Sequence, residues 1–591
     1  MKRERLLVLT GTSGLVVWLV TVGVLQAQVV KLQYSTRQNT REWFESARFG
    51  IFIHWDPRSN IEPGTFNPDI RPEVKRAQFD AVFKKIGPHT YKWQTWNPTK
   101  FDPNEWVKLF KEAGAQYFTF TTVHSVGFCN FDSPATDFDI MSTRYQKDIV
   151  EQLAKAAAGK IPVMWYFSAS GGQNGEHIPK SLWPDYYKSL WKVKTYDQLR
   201  ARNILHLVTN VQRYGKVAGI WWDGGGKWDM NEPLNKDLFK RLYKAQPWLI
   251  MSPRCGHPAH RTDWRCTEQR MGTFKLRPQW EMCIPMESSL WFWAGGKESN
   301  IKDTAHCLKL LIMCAVRDGN LLLDIGPMPD GRIFPLEAEI LRRMGGWLRQ
   351  YGESIYGTRG GPYEPGPWGG ATRRGRVVYL HVLQELLDGK LALPPLPVRV
   401  KSAEMLTGGQ VELQQTEDGL HLTLNRQARE APYDRVVKLT LEEDAWKLKP
   451  IPTQRSKSLT KDAKVQASSE WSYKRPSGKR VVEAARSVLP GADVRSGWSA
   501  DPSDKHPWLS VDLGRARTFR QLFLVEKHTR IRRFEVQSSL DGQHWDTVYQ
   551  GARMNYCSVR LPKPVTARFV RVVFTQTTGG PPQMRRFELY K

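Results

Sequence analysis

Two acidic residues stand where carboxyl groups could act as a catalytic pair. Asp223 ends the apolar run 217–222 and is followed by Gly224–Gly226, a pattern that predicts a buried strand opening into a loop. Glu268 lies further along the chain, after a tryptophan-containing segment. Glycoside hydrolysis uses such a pair, because one carboxylate attacks or stabilises the anomeric carbon while the other protonates the leaving oxygen. The alternative from the residues alone is that Asp223 caps a helix and Glu268 is a solvated loop acid.

A retaining reaction requires two carboxyl groups about 5–5.5 Å apart, one ionised and the other protonated. Asp223 is the candidate nucleophile and Glu268 the candidate acid and base. Glu281 and Glu287 are rival candidates for the second role. Arg254 is a candidate partner of the nucleophile, since a nearby positive charge favours the ionised form of an acid.

The elements that would position these residues alternate between strands and helices from about residue 40 to residue 355. The strand-like segments are Phe49–Trp55, Gln116–Thr122, Ile161–Phe167, Val217–Asp223 and Asn320–Ile325, and the helical ones are Trp106–Ala113, Ile149–Ala158, Tyr196–Tyr214, Leu234–Ala245, Thr304–Ala315 and Leu336–Tyr351. This order predicts a (β/α)-barrel, in which active residues lie at the C-terminal ends of strands. His54, His124, Asp223 and Arg254 all fall at or just beyond such ends.

Short alternating strands replace the helical pattern after the predicted barrel. Arg376–Val382 and Leu420–Leu424 predict a β-sandwich, and Trp508–Gly514, Phe534–Gly542, Arg568–Val573 and Arg586–Tyr590 predict a second all-β module. We therefore expect a signal peptide at 1–27, a catalytic barrel at 28–357, a β-sandwich at 358–452, a linker at 453–462 and a jelly-roll module at 463–591.

The basic start Met1–Arg5, the apolar stretch Leu6–Leu25 and the small residue Ala27 match a secretory signal. The sequence thus predicts a secreted or periplasmic protein. An uncleaved anchor is the rival interpretation, but the stretch is short for a spanning helix and contains Thr, Ser and Gly. We expect no stable membrane insertion, because no other segment is long and apolar enough.

The chain is strongly basic, with 87 Lys and Arg against 59 Asp and Glu, a formal net charge of +28. Such a surface attracts polyanions, which include nucleic acids, acidic membranes and sulfated or uronic polysaccharides. Basic residues such as Arg530, Arg532 and Arg533 are frequent in the last module. A generally basic, solvated surface explains the same composition without any specific partner.

Seven cysteines are few for 591 residues, and their spacings match no zinc pattern. A single disulfide between Cys255 and Cys266 is one arrangement that the sequence allows. No cluster of histidines predicts a metal site, and Gly224–Gly226 lacks the lysine and serine of a phosphate-binding loop. We therefore expect no metal and no cofactor.

Several motifs, in order, resemble the α-L-fucosidase family of glycoside hydrolases, family 29. They are Arg48–Trp55, Gly219–Asp223, Arg254 with Asp263–Glu268, Asn320–Gly331 and Gly346–Gly357. The resemblance covers roughly residues 40–450. The C-terminal module is similar to discoidin, or F5/8 type C, domains, which often bind carbohydrate on such enzymes.

The resemblance implies a role for each matching position. Asp223 would be the nucleophile and Glu268 the acid and base, while His54, His124 and Arg254 would hold the sugar. Three tryptophans are candidates for an aromatic wall against the apolar face of the sugar: Trp55, Trp222 and Trp291.

The second histidine motif departs from the family pattern. The family reads KHHDGF, whereas this chain reads Val123-His124-Ser125-Val126-Gly127-Phe128. Serine reaches less far than histidine and carries no titratable charge. The change leaves open whether the sugar is fucose or a fucose-like sugar such as L-galactose.

The resulting prediction is an exported, exo-acting, retaining α-L-fucosidase acting on fucosylated glycans, with sulfated fucans as a further hypothesis. The alternative is a non-catalytic carbohydrate-binding protein on a degenerate barrel. The third hypothesis, suggested only by the basic charge, is a nucleic-acid-binding protein. The export signal and the lack of any nucleic-acid motif argue against it. The linkage, the aglycone and the oligomeric state are left open.

Overall fold

The computed structural model describes residues 31–60, 93–124, 127–168, 196–223, 233–252, 263–287, 291–293, 295–296, 298, 301–453, 457–474, 480–491 and 497–591. The predicted signal peptide lies outside these residues, as do Gly224–Gly226, Arg254 and Cys255. No helix in the described part of the chain is long and apolar enough to cross a lipid bilayer.

The first part of the chain forms a curled sheet of eight strands, ordered β5-β4-β3-β2-β1-β8-β7-β6 and parallel throughout. The strands are β1 (Phe49–Ile53), β2 (Tyr117–Val123), β3 (Val163–Ser168), β4 (Gly219–Asp223), β5 (Ile250–Met251), β6 (Arg265–Cys266), β7 (Trp280–Pro285) and β8 (Asn320–Ile325). Most of these strands are buried on both faces, as expected for parallel strands covered by helices.

Seven helices of this region are described: α1 (Arg37–Ala47), α2 (Pro103–Glu112), α3 (Ile149–Ala157), α4 (Tyr196–Arg213), α5 (Pro233–Ala245), α6 (Thr304–Val316) and α7 (Pro335–Tyr351). Asp102, Asp148 and Asp303 cap the amino ends of α2, α3 and α6 by accepting main-chain N–H groups. The helices therefore begin close to the positions that their sequence patterns predict.

The two edges of the curled sheet meet at Asp263, which lies just before β6. Its main-chain N–H donates to the Met251 carbonyl oxygen on β5 at 3.2 Å, and its carboxylate accepts from the Met251 N–H at 2.7 Å. Arg37 and Arg41 of α1 form ion pairs with the same carboxylate. These bonds join the first and last strands of the sheet into a barrel.

Two antiparallel sheets follow the barrel and pack face to face. One has the order β14-β17-β11-β10-β9 and the other β13-β16-β15. Their strands are β9 (Arg359–Gly360), β10 (Gly369–Arg374), β11 (Val377–Val382), β13 (Lys390–Leu393), β14 (Val400–Met405), β15 (Val411–Thr416), β16 (Gly419–Leu424) and β17 (Arg435–Leu441), with a short helix α8 (Arg426–Arg429) between the last two. Leu380 and Leu439 of one sheet share a core with Leu391 and Leu422 of the other, which makes this unit a β-sandwich.

The C-terminal module is an antiparallel sheet with the main path β21-β26-β22-β25-β23-β24. Its strands are β18 (Lys464–Ala467), β19 (Ser472–Lys474), β20 (Arg480–Val482), β21 (Trp498–Ser499), β22 (Trp508–Glu526), β23 (Ile531–Ser539), β24 (Asp546–Ala552), β25 (Tyr556–Thr577) and β26 (Gln583–Tyr590). Strand β12 (Glu385–Leu386), from the sandwich region, adds to this sheet by pairing with β25. The module is thus joined to the sandwich by main-chain pairing.

The architecture confirms the predicted fold class, a (β/α)-barrel followed by two all-β units. The predicted domain boundaries stay predictions, and part of the linker, residues 454–456, lies outside the described residues.

Candidate active site

Side chains that point into the barrel alternate along each strand with side chains that point to the surrounding helices. On β4, Trp221 and Asp223 face inward, and Tyr166 of β3 lies beside them, since β3 and β4 pair Tyr166 with Trp221. The Tyr166 hydroxyl donates a 2.6 Å hydrogen bond to Oδ2 of Asp223. Asp223 is therefore a partly exposed carboxylate held in place at the C-terminal end of the barrel.

His54 lies next to this carboxylate region at the end of β1. Its Nδ1 shares a 2.6 Å hydrogen bond with Oδ1 of Asp324, from β8, and both side chains are buried. Burial, and then the positive charge of Arg58, lowers the pKa of His54 well below its usual value, while burial raises that of Asp324. The pair is thus a hydrogen bond that fixes the ring, and Nε2 is the nitrogen left for a sugar hydroxyl.

Aromatic rings surround His54 at the same end of the barrel. The His124 ring stacks on Tyr166 with centroids 5.2 Å apart and planes 9° apart. Trp291 lies 5.0 Å from the His54 ring, and Phe292 lies 5.2 Å from His124. The structure therefore brings together His54, His124 and Trp291 beside an aromatic surface suited to the apolar face of a sugar.

Two of the three predicted wall tryptophans do not face this site. Trp55 is fully buried and packs on Trp96 and Trp106, and Trp222 is fully buried against Phe239. Both belong to the core between the barrel strands and the outer helices. The prediction was wrong because each follows an inward-facing residue on its strand, and neighbouring residues of a strand point to opposite faces.

Glu268 follows β6 and continues its pairing with β7. The main-chain N–H groups of Thr267 and Gln269 donate to the carbonyl oxygens of Glu281 and Cys283, each at 2.8 Å. Glu268 itself lies in the turn after β6, where the Arg270 N–H donates to the Thr267 carbonyl oxygen at 3.2 Å, and its side chain is partly exposed. It is therefore found just beyond the C-terminal end of a barrel strand, the position at which such barrels carry their active residues.

Asp223 and Glu268 lie at the ends of strands that are near each other around the barrel, although 45 positions separate the two residues in the sequence. Only β5 lies between β4 and β6 once the edges meet at Asp263. Neighbouring strands are about 4.8 Å apart, so the two main chains are roughly 10 Å apart. Two carboxyl side chains can span that gap, which is the requirement for a catalytic pair.

The rival acids occupy other environments. Glu281 is fully buried near the start of β7, where it accepts hydrogen bonds from the Tyr117 hydroxyl at 2.5 Å and from Nε1 of Trp221 at 2.9 Å. Burial raises the pKa of Glu281 to about 7. Glu287 is also buried, and its main chain pairs with Ile301 beyond β7. Glu281 therefore belongs to the packed barrel interior rather than to the open end.

We expect Glu281→Gln to change the pH dependence of stability and to leave the chemistry intact. Between pH 4.5 and about 7 the folded protein keeps a proton on Glu281 that the unfolded chain releases, so this group lowers stability as pH rises, by about 1.4 kcal/mol per pH unit. The variant should lose that slope in melting temperatures measured from pH 5 to pH 7. Its activity should stay close to wild type, since glutamine can still bond with Tyr117 and Trp221. A catalytic defect in a correctly folded variant would contradict the interior role.

Three predicted features lie outside the described residues. Arg254 is one, and Ser125 and Val126 of the altered histidine motif are the others. Their contribution to the pocket stays a prediction.

Sequence reasoning missed Tyr166, Asp324 and Phe292. Strand alternation offered a signal for Tyr166, which precedes the end of strand β3 by two positions, as Trp221 precedes Asp223 on β4. Asp324 on β8 pairs with Phe52 on β1, two positions before His54. Its contact with His54 therefore follows only from the pairing of the two strands. Nothing in the local sequence marked Phe292, over which the Arg58 guanidinium lies at 4.0 Å.

Metal-ligand geometry is not found among the described residues, where no three His, Cys, Asp or Glu side chains form a group that could hold an ion. Cys266 lies 3.5 Å, sulfur to sulfur, from Cys283. The predicted partner of Cys266, Cys255, is outside the described residues, so that pairing stays untested.

A parallel barrel with a tyrosine-bound carboxylate, two histidines and aromatic rings at the C-terminal ends of its strands fits what carbohydrate hydrolysis requires of a site. Comparison with known proteins specifies the class. The model of the alpha-L-fucosidase family matches residues 24–353, and that of the F5/8 type C domain matches residues 464–589. Because the first match covers more than half of the chain, this protein belongs to the alpha-L-fucosidase family of glycoside hydrolases.

Individual relatives agree with this assignment. The chain is 27% identical over 355 residues to the tissue alpha-L-fucosidase of Bos taurus, an alignment that covers 57% of this chain and 72% of the relative. The structure of alpha-L-fucosidase isoenzyme 1 from Paenibacillus thiaminolyticus superposes with a TM-score of 0.58 at 26% identity, over 69% of this chain and 100% of that one. An alpha-L-fucosidase from Vibrio sp. strain EJY3 shares the fold over 94% of this chain and 98% of its own, with a TM-score of 0.62 at 18% identity.

Proposed function

We propose that this protein is an exported, exo-acting α-L-fucosidase that removes terminal α-L-fucose with retention of configuration. The observation that carries the proposal is Asp223, a carboxylate oriented by Tyr166 at the open end of the barrel. Membership of the alpha-L-fucosidase family supports the choice of sugar.

In the proposed reaction Asp223 attacks the anomeric carbon while Glu268 gives a proton to the departing oxygen. A fucosyl–Asp223 ester forms, and Glu268 then takes a proton from the water that hydrolyses it. His54, fixed by Asp324, would bond a sugar hydroxyl, and Trp291 would lie against the apolar face of the ring.

Export and an anionic substrate are parts of the same proposal. The N-terminal pattern of a basic start and an apolar stretch supports a secreted or periplasmic location. The net charge of +28 supports glycans with sulfate groups, such as oligosaccharides from sulfated fucans.

The direct test is turnover of 4-nitrophenyl α-L-fucoside by the purified mature chain, beside 4-nitrophenyl α-L-galactoside. We expect fucoside hydrolysis. NMR of the reaction should show α-L-fucose as the first sugar released, before the β-anomer forms in solution. L-galactose carries a hydroxymethyl group where fucose has a methyl group, so preference for the galactoside would show that the Ser125 and Val126 changes alter the sugar pocket. Binding of fucosylated glycans without any turnover would instead support the non-catalytic alternative.

A further inference from the structure

A second cleft lies between the barrel and the C-terminal module. It has a volume of about 1010 Å³ and is formed by the start of α6, one face of α7 and three loops of the module. Its polar lining includes Arg343, Thr529, Arg532, Arg553 and Thr578. Ile340 of α7 adds an apolar surface. A cationic wall with hydroxyl groups and an apolar strip suits an acidic sugar chain.

The walls of this cleft are held together by bonds between the two domains. Arg553 of the module pairs with Asp303 at 2.5 Å, and Asp303 also caps α6. One turn further along α6, Nδ1 of His306 lies 3.1 Å from Oδ1 of Asn555, and Nζ of Lys309 donates to the Tyr556 carbonyl oxygen at 2.8 Å. The cleft is therefore a fixed feature of the domain arrangement.

The module loops that face the cleft are also fixed from within. The buried Glu526 carboxylate accepts the main-chain N–H groups of Ile531 at 3.1 Å and Asn555 at 2.8 Å, which ties two of the loops together. The third loop is tied to the first by the Thr578 N–H, which donates to the Arg530 carbonyl oxygen at 2.9 Å. Such loops can bind a ligand without first having to become ordered.

Arg532 is the cation that a ligand could neutralise. Arg553 is paired with Asp303, and Arg343 is paired with Glu339 of its own helix. Arg532, in contrast, forms no ion pair with any described residue, and its Nη1 donates to the Thr529 carbonyl oxygen at 2.8 Å. The buried hydroxyl of Thr529 also lacks a hydrogen-bond partner within the described part of the chain. Among the described lining residues, the acids are Glu298 and Asp303 and the cations are Arg343, Arg532 and Arg553, so these residues carry more positive than negative groups.

The charge of the module strengthens this attraction. Residues 464–589 contain 22 Lys and Arg against 11 Asp and Glu, an excess of 11 positive charges. Such an excess draws anionic ligands towards the cleft and makes their binding sensitive to salt.

One connection of the barrel reaches both the active site and the cleft. It starts at the end of β7, where Trp291 contacts His54, and returns at Ile301, which lines the cleft and pairs with Glu287. Lys302 then donates its main-chain N–H to the Met286 carbonyl oxygen at 3.0 Å. The cleft is therefore lined by the same connection that carries Trp291, on the side of the barrel where β7 ends and α6 begins.

We propose that this cleft is a second carbohydrate site, built jointly by the barrel and the module, which binds a sulfated segment of the same glycan whose terminal fucose enters the pocket. The inference rests on the proposed fucosidase activity. Arg532 contacts the sulfate group, and the apolar face of α7 contacts a sugar ring. The site gives the enzyme a preference for sulfated oligosaccharides over neutral ones.

The test compares Arg532→Ala with Arg533→Ala, which removes the same charge from the neighbouring exposed residue outside the cleft lining. The probes are a sulfated fuco-oligosaccharide and its desulfated counterpart, with binding measured by calorimetry at 50 and 200 mM NaCl. We expect the Kd of Arg532→Ala for the sulfated probe to rise roughly tenfold, the loss of one charge-assisted contact. Arg533→Ala should change it far less, and Arg532→Lys should fall between the two.

Turnover of 4-nitrophenyl α-L-fucoside tests the proposed fucosidase activity separately from the proposed cleft site. This small substrate has no sulfate group and no second sugar, so every variant should hydrolyse it as the wild type does, which also shows that each is folded. Equal effects of Arg532→Ala and Arg533→Ala, or equal affinity for both probes, would overturn the cleft site while leaving the fucosidase intact. Absence of fucoside turnover in the wild type would overturn the proposed activity, whatever the binding result.

Discussion

Replacing Asp223 with alanine should lower kcat for 4-nitrophenyl α-L-fucoside by about 10⁴-fold or more, the loss expected when a covalent nucleophile is removed. The carboxylate oxygen held by Tyr166 has no substitute among the nearby rings. The measurement is steady-state release of 4-nitrophenolate.

Azide makes this prediction specific for the retaining mechanism. In Asp223→Ala the removed carboxylate leaves space on the β face of the sugar, where azide can attack the anomeric carbon and expel 4-nitrophenolate. The product should be β-L-fucosyl azide, identified by NMR, with rate restored as azide is added. Recovery of activity without formation of a fucosyl azide would count against a nucleophilic role. So would a variant that keeps high turnover without azide and does not respond to azide at any concentration.

Asp237→Ala is the matched control, because this aspartate is exposed on α5 and pairs only with Arg241 of the same helix among described groups. It removes one carboxylate from the same domain without touching the barrel mouth. We expect turnover and melting temperature close to wild type.

Replacing Glu268 with alanine should give a loss that depends on the leaving group. A fucosyl oligosaccharide needs a proton on its departing oxygen, so its kcat/KM should fall by about 10³-fold, within the range for general acid catalysis. 4-Nitrophenolate leaves without that proton, so formation of the fucosyl ester from the aryl fucoside should be much less affected. Hydrolysis of the fucosyl ester still needs a base, so the ester should accumulate. Both kcat and KM for the aryl fucoside should therefore fall.

Azide again identifies the role, now with the opposite stereochemistry. In Glu268→Ala it attacks the fucosyl–Asp223 ester from the α face and should yield α-L-fucosyl azide. The α product from one variant and the β product from the other would assign both carboxyl groups in a single experiment.

The same series separates Glu268 from its rivals. Glu287→Gln and Glu281→Gln should show no dependence on the leaving group, because Glu281 is fixed in the interior by Tyr117 and Trp221 and Glu287 is buried beyond β7. A leaving-group-dependent defect in Glu287→Gln, with normal behaviour of Glu268→Ala, would transfer the acid role to Glu287.

The sequence pattern predicted several elements closely, although it did not predict strands β6 and β7. The helix expected at Ile149–Ala158 is observed at Ile149–Ala157, and the strand expected at Asn320–Ile325 is observed with the same bounds. Hydrophobic period, caps and glycines are local signals. The helix buries Ile149, Val150 and Leu153 on one face, and the strand is buried along its whole length, so each element matches the pattern of its own residues.

The sequence also predicts which neighbouring side chains face opposite sides of a strand, because side chains alternate along it. His54 and Trp55 are adjacent, as are Trp222 and Asp223, so neither tryptophan could face the same pocket as its neighbour. The error came from assigning roles by residue type instead of by alternation.

By itself, the sequence determined the order of the elements, the barrel class and the candidates Asp223, Glu268, His54 and His124, because strand and helix periods and the ends of apolar runs are properties of contiguous residues. Only the tertiary structure decided which distant groups meet: Asp324 with His54, Tyr166 with Asp223, and Arg553 with Asp303. These contacts depend on strand register, on the closure at Asp263 and on the docking of the module, and each joins parts of the chain whose proximity no local pattern records.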